Sequence, residues 1–284
     1  MVNGKQCSIV WYVDDVKVSH VDRSVVEEVI MDLEDTFGKV NPVFGNKQEY
    51  LGMKVEIDDE RNLHIDMRDQ VSEIIQDFSE IISGSVSTPA NRFLMNINES
   101  EPTLNKTRSK EFHSTVAKLL YLEKRGRPDF EPTVACLSTR VSKPLESDWR
   151  KLIIALTYLN QTKNDIQIIG CDSIGKIFTW IDAAYAVYNN MRSHTGGIMS
   201  FGRGSIHAKS SKQKLNTKSS TEAEVVGLSE YLPYNLWLIS SGHKDIQSKV
   251  ILSIKTTRVQ LGWRKMVVLC AQEIQDTYIF IIFS

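Results

Sequence analysis

The stretch IDAAYAVYNNMRSHTGGIMSFGRGSIHAKSSKQKLNTKSSTEAE, residues 181–224, decides the architecture. Upstream it completes KIFTWIDAAYA, a β-branched and aromatic run that reads as a strand. After a turn, GGIMSFGRGSIHAKSS (196–211) reads as a two-stranded hairpin. Thr221 to Ile239 then carries apolar residues at helical spacing. Strand, hairpin and helix in that order imply an α/β domain from about residue 173 onward. A carboxylate on its first strand and another near its helix start can converge on a metal pair, although an Asp at a strand end is by itself usually structural.

Working outward, the region before 173 has a different texture. CSIVWYV (7–13) stops at Asp14-Asp15, and the alternating VKVSH follows, so the two aspartates fall at a β-hairpin turn. SVVEEVIMDLEDTFG (24–38) predicts a helix with Ser24 as N-cap and Gly38 as its close. EYLGMKVEIDDERNLHIDM (49–67) predicts two strands around the polar turn DDERN, and Asp69–Ile82 predicts another helix. Residues 83–110, rich in Gly, Ser, Pro, Asn and Thr, read as a linker or extended loop. Residues 111–162 predict three helices punctuated by Pro128, Pro132 and Pro144. The fold class expected is α+β: a hairpin-bearing first part, a helical middle, and an α/β domain at the end.

Composition narrows the classes further. The 284 residues suit about two domains. The 34 Lys+Arg balance 35 Asp+Glu, which argues against whole-chain polybasic binding and leaves room for a local basic groove. An apolar fraction of 42% with 24% charged residues is that of a globular protein, not a disordered one. Four scattered cysteines form neither a disulfide framework nor a zinc pattern, and fit a reducing compartment. There is no apolar run of about 18 residues to span a membrane. MVNGKQCSIV lacks a basic region followed by an apolar core, so no secretion signal is expected. The six histidines show no HxxxH spacing, and no nucleophile elbow is present.

Two constellations carry chemistry. In Tyr12-Val13-Asp14-Asp15, adjacent carboxylates between apolar strands suit Mg²⁺, although a bare DD pair is also an ordinary solvated turn. WYVDDVKVSH resembles the Tyr-x-Asp-Asp box of a reverse-transcriptase palm. EYLGMKVEI resembles the "YLGM" strand of copia-type retrotransposon polyproteins. The segment 119–162 resembles their "RPDI…A…L…W…RYL" thumb and connection. The closing stretch resembles their RNase H boxes "DADWA", "R-S-T-S-G", "SWKSKKQ" and "SSTEAE", in order. The resemblance covers residues 8 to about 253.

It implies a palm remnant (1–95), a helical thumb/connection region (96–172) and an RNase H-like domain (173–253). It also implies two-metal chemistry with Mg²⁺: RNA-directed DNA synthesis, and hydrolysis of the RNA strand of an RNA–DNA hybrid. Asp14 and Asp15 match the palm metal carboxylates. Asp182 and Glu222 match the first two RNase H metal ligands, while Glu224, two residues on, is read as pointing elsewhere. Lys124, Arg125 and Arg127, with Arg140 and Lys143, would line a template–primer groove, or else form a solvated helix face. Lys209 and Lys212 add cations in the last domain. The implied partners are an RNA–DNA hybrid or template–primer, with no membrane. The implied compartment is cytoplasmic, in a virus-like particle, or nuclear.

Two departures from the family bear on activity. The upstream palm aspartate and the nucleotide-binding fingers are expected to be missing. After residue 253 the family's "QDNQSA" and "RHI" boxes are replaced by IKTTRVQLGWRKMVVLC. Joining the last base of each codon to the first two of the next lets residues from Ser253 spell HQDNQSAI, and a later stretch spell SRHI. Met266 (ATG) before Val267 (GT-) forces GGT, glycine. We read a frameshift just before Ser253, a foreign tail over 254–284, and Lys255 where a third metal carboxylate belongs. An inactive fragment is expected. The alternatives are a nucleic-acid-binding remnant without catalysis and an inert α+β protein.

Overall fold

The apolar spacing of the middle region builds the largest core. A computed structural model describes residues 2–13, 15–172, 176–241, 249–254 and 267–270. Helix α3 (Lys106–Arg125) buries Phe112, Val116, Leu119 and Leu122. Helix α5 (Glu146–Gln161) buries Trp149, Leu152, Leu156 and Leu159 against them. Asn105 caps α3 by accepting the Arg108 N–H at 2.9 Å, so the helix starts earlier than the Ser/Pro/Asn-rich stretch suggested. Helix α4 (Glu131–Ser138) follows a short 3-10 turn at Pro128–Phe130 and closes this body. The same core takes Ile65 from strand β5 (Leu63–Asp66) and Val71 and Ile74 from helix α2 (Arg68–Asp77). Apolar packing therefore runs without interruption across residue 95.

Helix α2 ends at Asp77 rather than near Ile82. Phe78 turns extended there, and its ring stacks on Trp149 at 5.2 Å. The 49–67 segment holds more strands than expected: β3 (Lys47–Tyr50), β4 (Met53–Ile57) and β5. Leu51 (φ 50°) and Gly52 (φ 69°) make a tight turn of what the sequence read as one strand. The sheet continues antiparallel into β6 (Gln167–Cys171) and β9 (Gly202–Arg203), in the order β3-β4-β5-β6-β9. Through β9 it is tied to the last domain.

That last domain has a second five-stranded sheet. Strands β7 (Lys176–Ala184), β8 (His194–Ser200) and β10 (His207–Lys212) run antiparallel, and helix α6 (Ser220–Ser241) then crosses to β11 (Lys249–Ile254). β11 lies parallel to β7, and β12 (Val267–Cys270) antiparallel to β11, giving the order β10-β8-β7-β11-β12. Near the N-terminus, β1 (Ser8–Tyr12) and β2 (Asp15–Ser19) form an isolated hairpin beside helix α1 (Arg23–Phe37). Asp22, not Ser24, stands at the N-cap of α1, and Gly38 closes it as expected.

Candidate functional site

Strand β7 alternates strictly. Ile177, Thr179, Ile181 and Ala183 are buried beneath α6, while Trp180, Asp182 and Ala184 face away. Asp182 stands opposite Gly196 of β8, where no side chain crowds it. Helix α6 seats its buried stripe Ala223, Glu224, Gly227, Tyr231 and Asn235 on this sheet. Close approach depends on Gly227: a Cβ there would come within 3.2 Å of Thr195. Asn235 accepts a 2.7 Å hydrogen bond from the Thr179 hydroxyl beneath the helix. Gln213, wholly buried, donates to Thr195 Oγ1 at 2.9 Å and to the Ala223 carbonyl at 2.8 Å, which fixes the loop entering α6.

The head of α6 reverses the sequence expectation. Glu222 is exposed and works as a helix cap. Its carboxylate accepts the Lys218 N–H at 2.6 Å, and its own N–H donates to Ser219 Oγ at 3.1 Å. Glu224 is the buried carboxylate, and the Ala183 backbone N–H is its polar neighbour on the sheet. Burial, and then the negative charge of Asp182, push it up to about 7. Glu224 thus lies on the covered side of the sheet and Asp182 on its other face, with the Asp182 charge still felt at Glu224, while Glu222 is left to the helix terminus. Two such carboxylates fit part of the hard-oxygen donor set of a divalent cation, whose charge would relieve the burial. Among the described residues no three His, Cys, Asp or Glu side chains gather as a metal site. β11 ends at Ile254 in register with Ile181; Lys255 lies outside the described residues.

At the first hairpin, Asp15 opens β2 opposite Tyr12 and is exposed, and Asp14 lies outside the described residues. The turn is strained, because Val13, β-branched, sits at φ 53°.

The cations converge on a cleft of about 980 Å³ between the helical body and β10. Lys124, Arg125, Lys209 and Lys212 all line it. The Arg125 guanidinium lies 3.9 Å over Tyr121, Lys209 Nζ 4.6 Å over Tyr234, and Lys212 Nζ 4.2 Å over Tyr188. Lys209 also donates to the Tyr234 hydroxyl. Lys124 is held by Glu131 at 2.7 Å and Glu123 at 3.2 Å. Arg127 is the exception. It is buried, forked onto Asp129 at 2.8 and 3.0 Å, and bonded to Thr162 Oγ1 at 2.7 Å, so it holds the helical body together and does not face the cleft. Arg140 is likewise taken up by buried Asp148 at 3.0 Å.

The cleft wall holds a polar chain that the sequence did not announce. Glu131 accepts the Ser210 N–H at 2.8 Å, Ser210 Oγ meets His194 Nε2 at 2.5 Å, and His194 Nδ1 meets the Tyr188 hydroxyl at 2.8 Å. Burial holds His194 down at about 4, so the ring is neutral.

The fold and site define a mixed α+β chain with a cation-lined cleft and a carboxylate pair on a sheet with one parallel crossover. No protein-family model and no solved structure matches it. Among curated proteins it is 28% identical over 233 residues to the retrovirus-related Pol polyprotein from transposon TNT 1-94 of Nicotiana tabacum, which covers 80% of this chain and 17% of the polyprotein. It is 24% identical over 235 residues to the uncharacterized mitochondrial protein AtMg00810 of Arabidopsis thaliana, covering 82% of this chain and 95% of that protein. It is 31% identical over 126 residues to the secreted RxLR effector protein 161 of Plasmopara viticola, covering 44% of this chain and 89% of that protein. The chain belongs to one family with this last protein, and its likeness to the tobacco polyprotein, of which it spans less than a fifth, marks it as transposon-related. Among the described residues no helix is long and apolar enough to cross a membrane.

Proposed function

We propose that the chain is a remnant of a copia-type reverse transcriptase/RNase H segment that binds an RNA–DNA hybrid or template–primer and has lost efficient catalysis. The divisions at residues 95, 172 and 253, and a foreign tail from 254, belong to this reading. One observation carries it: central strand β7, which bears Asp182, is followed by an antiparallel hairpin and then by a helix, with Glu224 buried at its head, that crosses over to parallel β11. Asp182 and Glu224 would hold Mg²⁺, which in two-metal hydrolysis stabilises the attacking and leaving oxygens. The chain's own part is to place these two carboxylates on rigid elements and to offer the cleft cations to phosphates. Two carboxylates without a third leave such ions poorly held, so hydrolysis is lost before binding. Asp14 and Asp15 are the corresponding relic of the palm.

The test is fluorescence anisotropy of the full chain with an RNA–DNA hybrid from 50 to 300 mM salt, alongside hybrid cleavage and primer extension in Mg²⁺ or Mn²⁺. Salt-sensitive binding without cleavage or extension is the expected result. Restoring the frame so that the tail reads HQDNQSAI should raise Mg²⁺ affinity, and Glu224→Gln in that background should abolish the gain while Glu222→Gln leaves it. Absence of hybrid binding, or turnover by the unrepaired chain, would refute the reading.

A further inference from the structure

We propose that β1 is a self-association edge: it pairs antiparallel with β1 of a second copy, making one continuous sheet in the order β2-β1-β1-β2. Among the described residues the hairpin is a sheet of two strands only, and two strands alone are marginal in water. Every residue from Ile9 to Val13 is more than half exposed, on both faces of the hairpin. Packing within the chain therefore leaves this apolar run largely uncovered. Among the described residues, only the Trp11 ring finds an aromatic neighbour, Phe37 of α1 at 6.0 Å.

Charge selects the occupant. From Gln6 to Val13 the strand carries no ionisable group except the Cys7 thiol and the Tyr12 hydroxyl, and no lysine or proline of the kind that guards edge strands. A second β1 laid against it therefore meets no like charge in any register, and a twofold axis makes the contact self-complementary. β2, which carries Asp15 and Lys17, has charges along its length and is the poorer edge. Backbone parity agrees. Tyr12 and Asp15 flank the two-residue turn and form the inward-bonded pair, so the amides of Ile9 and Trp11 point to the open edge.

Sedimentation velocity of the full chain from 1 to 100 μM tests the proposal, with Val10→Lys as the variant. Val10 is half-exposed, so the change puts two ammonium groups into the new seam without opening a core. A wild-type dimer whose dissociation constant rises at least about tenfold in Val10→Lys supports the proposal. Hydrogen exchange on the wild type supplies a reading independent of the variant's folding: the Ile9 and Trp11 amides should be protected at 100 μM and exchange freely at 1 μM. A monomer throughout, an assembly indifferent to Val10→Lys, or concentration-independent exchange at these two amides would each overturn it. Those outcomes would leave the edge to a strand of another polypeptide, or place association elsewhere on the chain.

Discussion

Glu123→Gln should make the protein more stable than wild type at alkaline pH and nearly equal to it at pH 5. Glu123 is buried at the end of α3, beside Glu131 of α4 and under the half-exposed Lys124. Burial first, and then the hydrogen bond with Glu131, raise it from the ordinary 4.5 to about 8, while Glu131 is held low and ionised. The folded protein therefore keeps a proton on Glu123 that the unfolded chain gives up. Such a raised acid stabilises fully below pH 4.5, and its contribution is lost as pH rises from there through about 8.

The full preference for the protonated form corresponds to roughly 5 kcal/mol at 1.36 kcal/mol per pH unit. The pair shares its proton and Lys124 reaches water, so roughly 2 kcal/mol is the part expected in global stability. Glutamine keeps the shape and never ionises. Urea or thermal unfolding of both proteins at pH 5, 6, 7, 8 and 9 should show the gap opening across this range and levelling off above it. A gap of 2 kcal/mol is worth roughly 4–8 °C in Tm. Parallel pH profiles for wild type and Glu123→Gln would refute the reasoning, because both proteins would then release the same number of protons on unfolding.

Gly197→Ala would place a Cβ 2.2 Å from the Tyr231 ring, and should lower stability by about 1–3 kcal/mol in thermal melts as α6 is pushed off the sheet. Arg127→Ala leaves Asp129 and Thr162 without their partner and should cost about 3 kcal/mol, read by urea unfolding. Lys209→Ala should instead leave stability nearly unchanged, weaken hybrid binding, and reduce the magnitude of the logarithmic salt slope by about 1 in anisotropy titrations. Val13→Gly relieves a left-handed valine and should stabilise the first hairpin by about 1 kcal/mol, seen as slower amide exchange in β1 and β2.

The elements that could be read in the sequence were those whose apolar pattern is local. β7, the β8–β10 hairpin and α6 declare themselves by alternation and helical spacing, and so does α1. What escaped depends on distant partners. Gln167–Cys171 is too short to signal a strand by itself and becomes β6 because β5 offers an open edge. The end of α2 is set by Phe78 turning to stack on Trp149, 71 positions away. Leu51-Gly52 was a visible turn signal, but apolar neighbours on either side masked it. Arg127 looked like its neighbours Lys124 and Arg125. Only the tertiary position of Thr162 makes it a buried clasp, whereas the other two face the cleft.

The choice between Glu222 and Glu224, by contrast, was decidable from helix geometry alone. Side chains three, four and seven residues apart share a helix face. Counting back from Tyr231 by four gives Gly227, and by seven gives Glu224. Counting back from Gly227 by four gives Ala223. All of these are buried on the sheet. Glu222 lies one residue off the edge of that stripe, beside Thr221, and both are exposed. A small residue in a helix that must press against a sheet marks the inward face, and Gly227 is that marker. Glu222 also follows Ser219 by three, the spacing at which a glutamate in the first turn belongs to the helix cap. The same letters that suggested a metal ligand therefore describe a capping residue first and an inward carboxylate second. In the frame-restored chain, Mg²⁺ titration of Glu222→Gln and Glu224→Gln separates the two roles. Equal loss of Mg²⁺ affinity in both would mean that the helix stripe does not govern which carboxylate the metal meets.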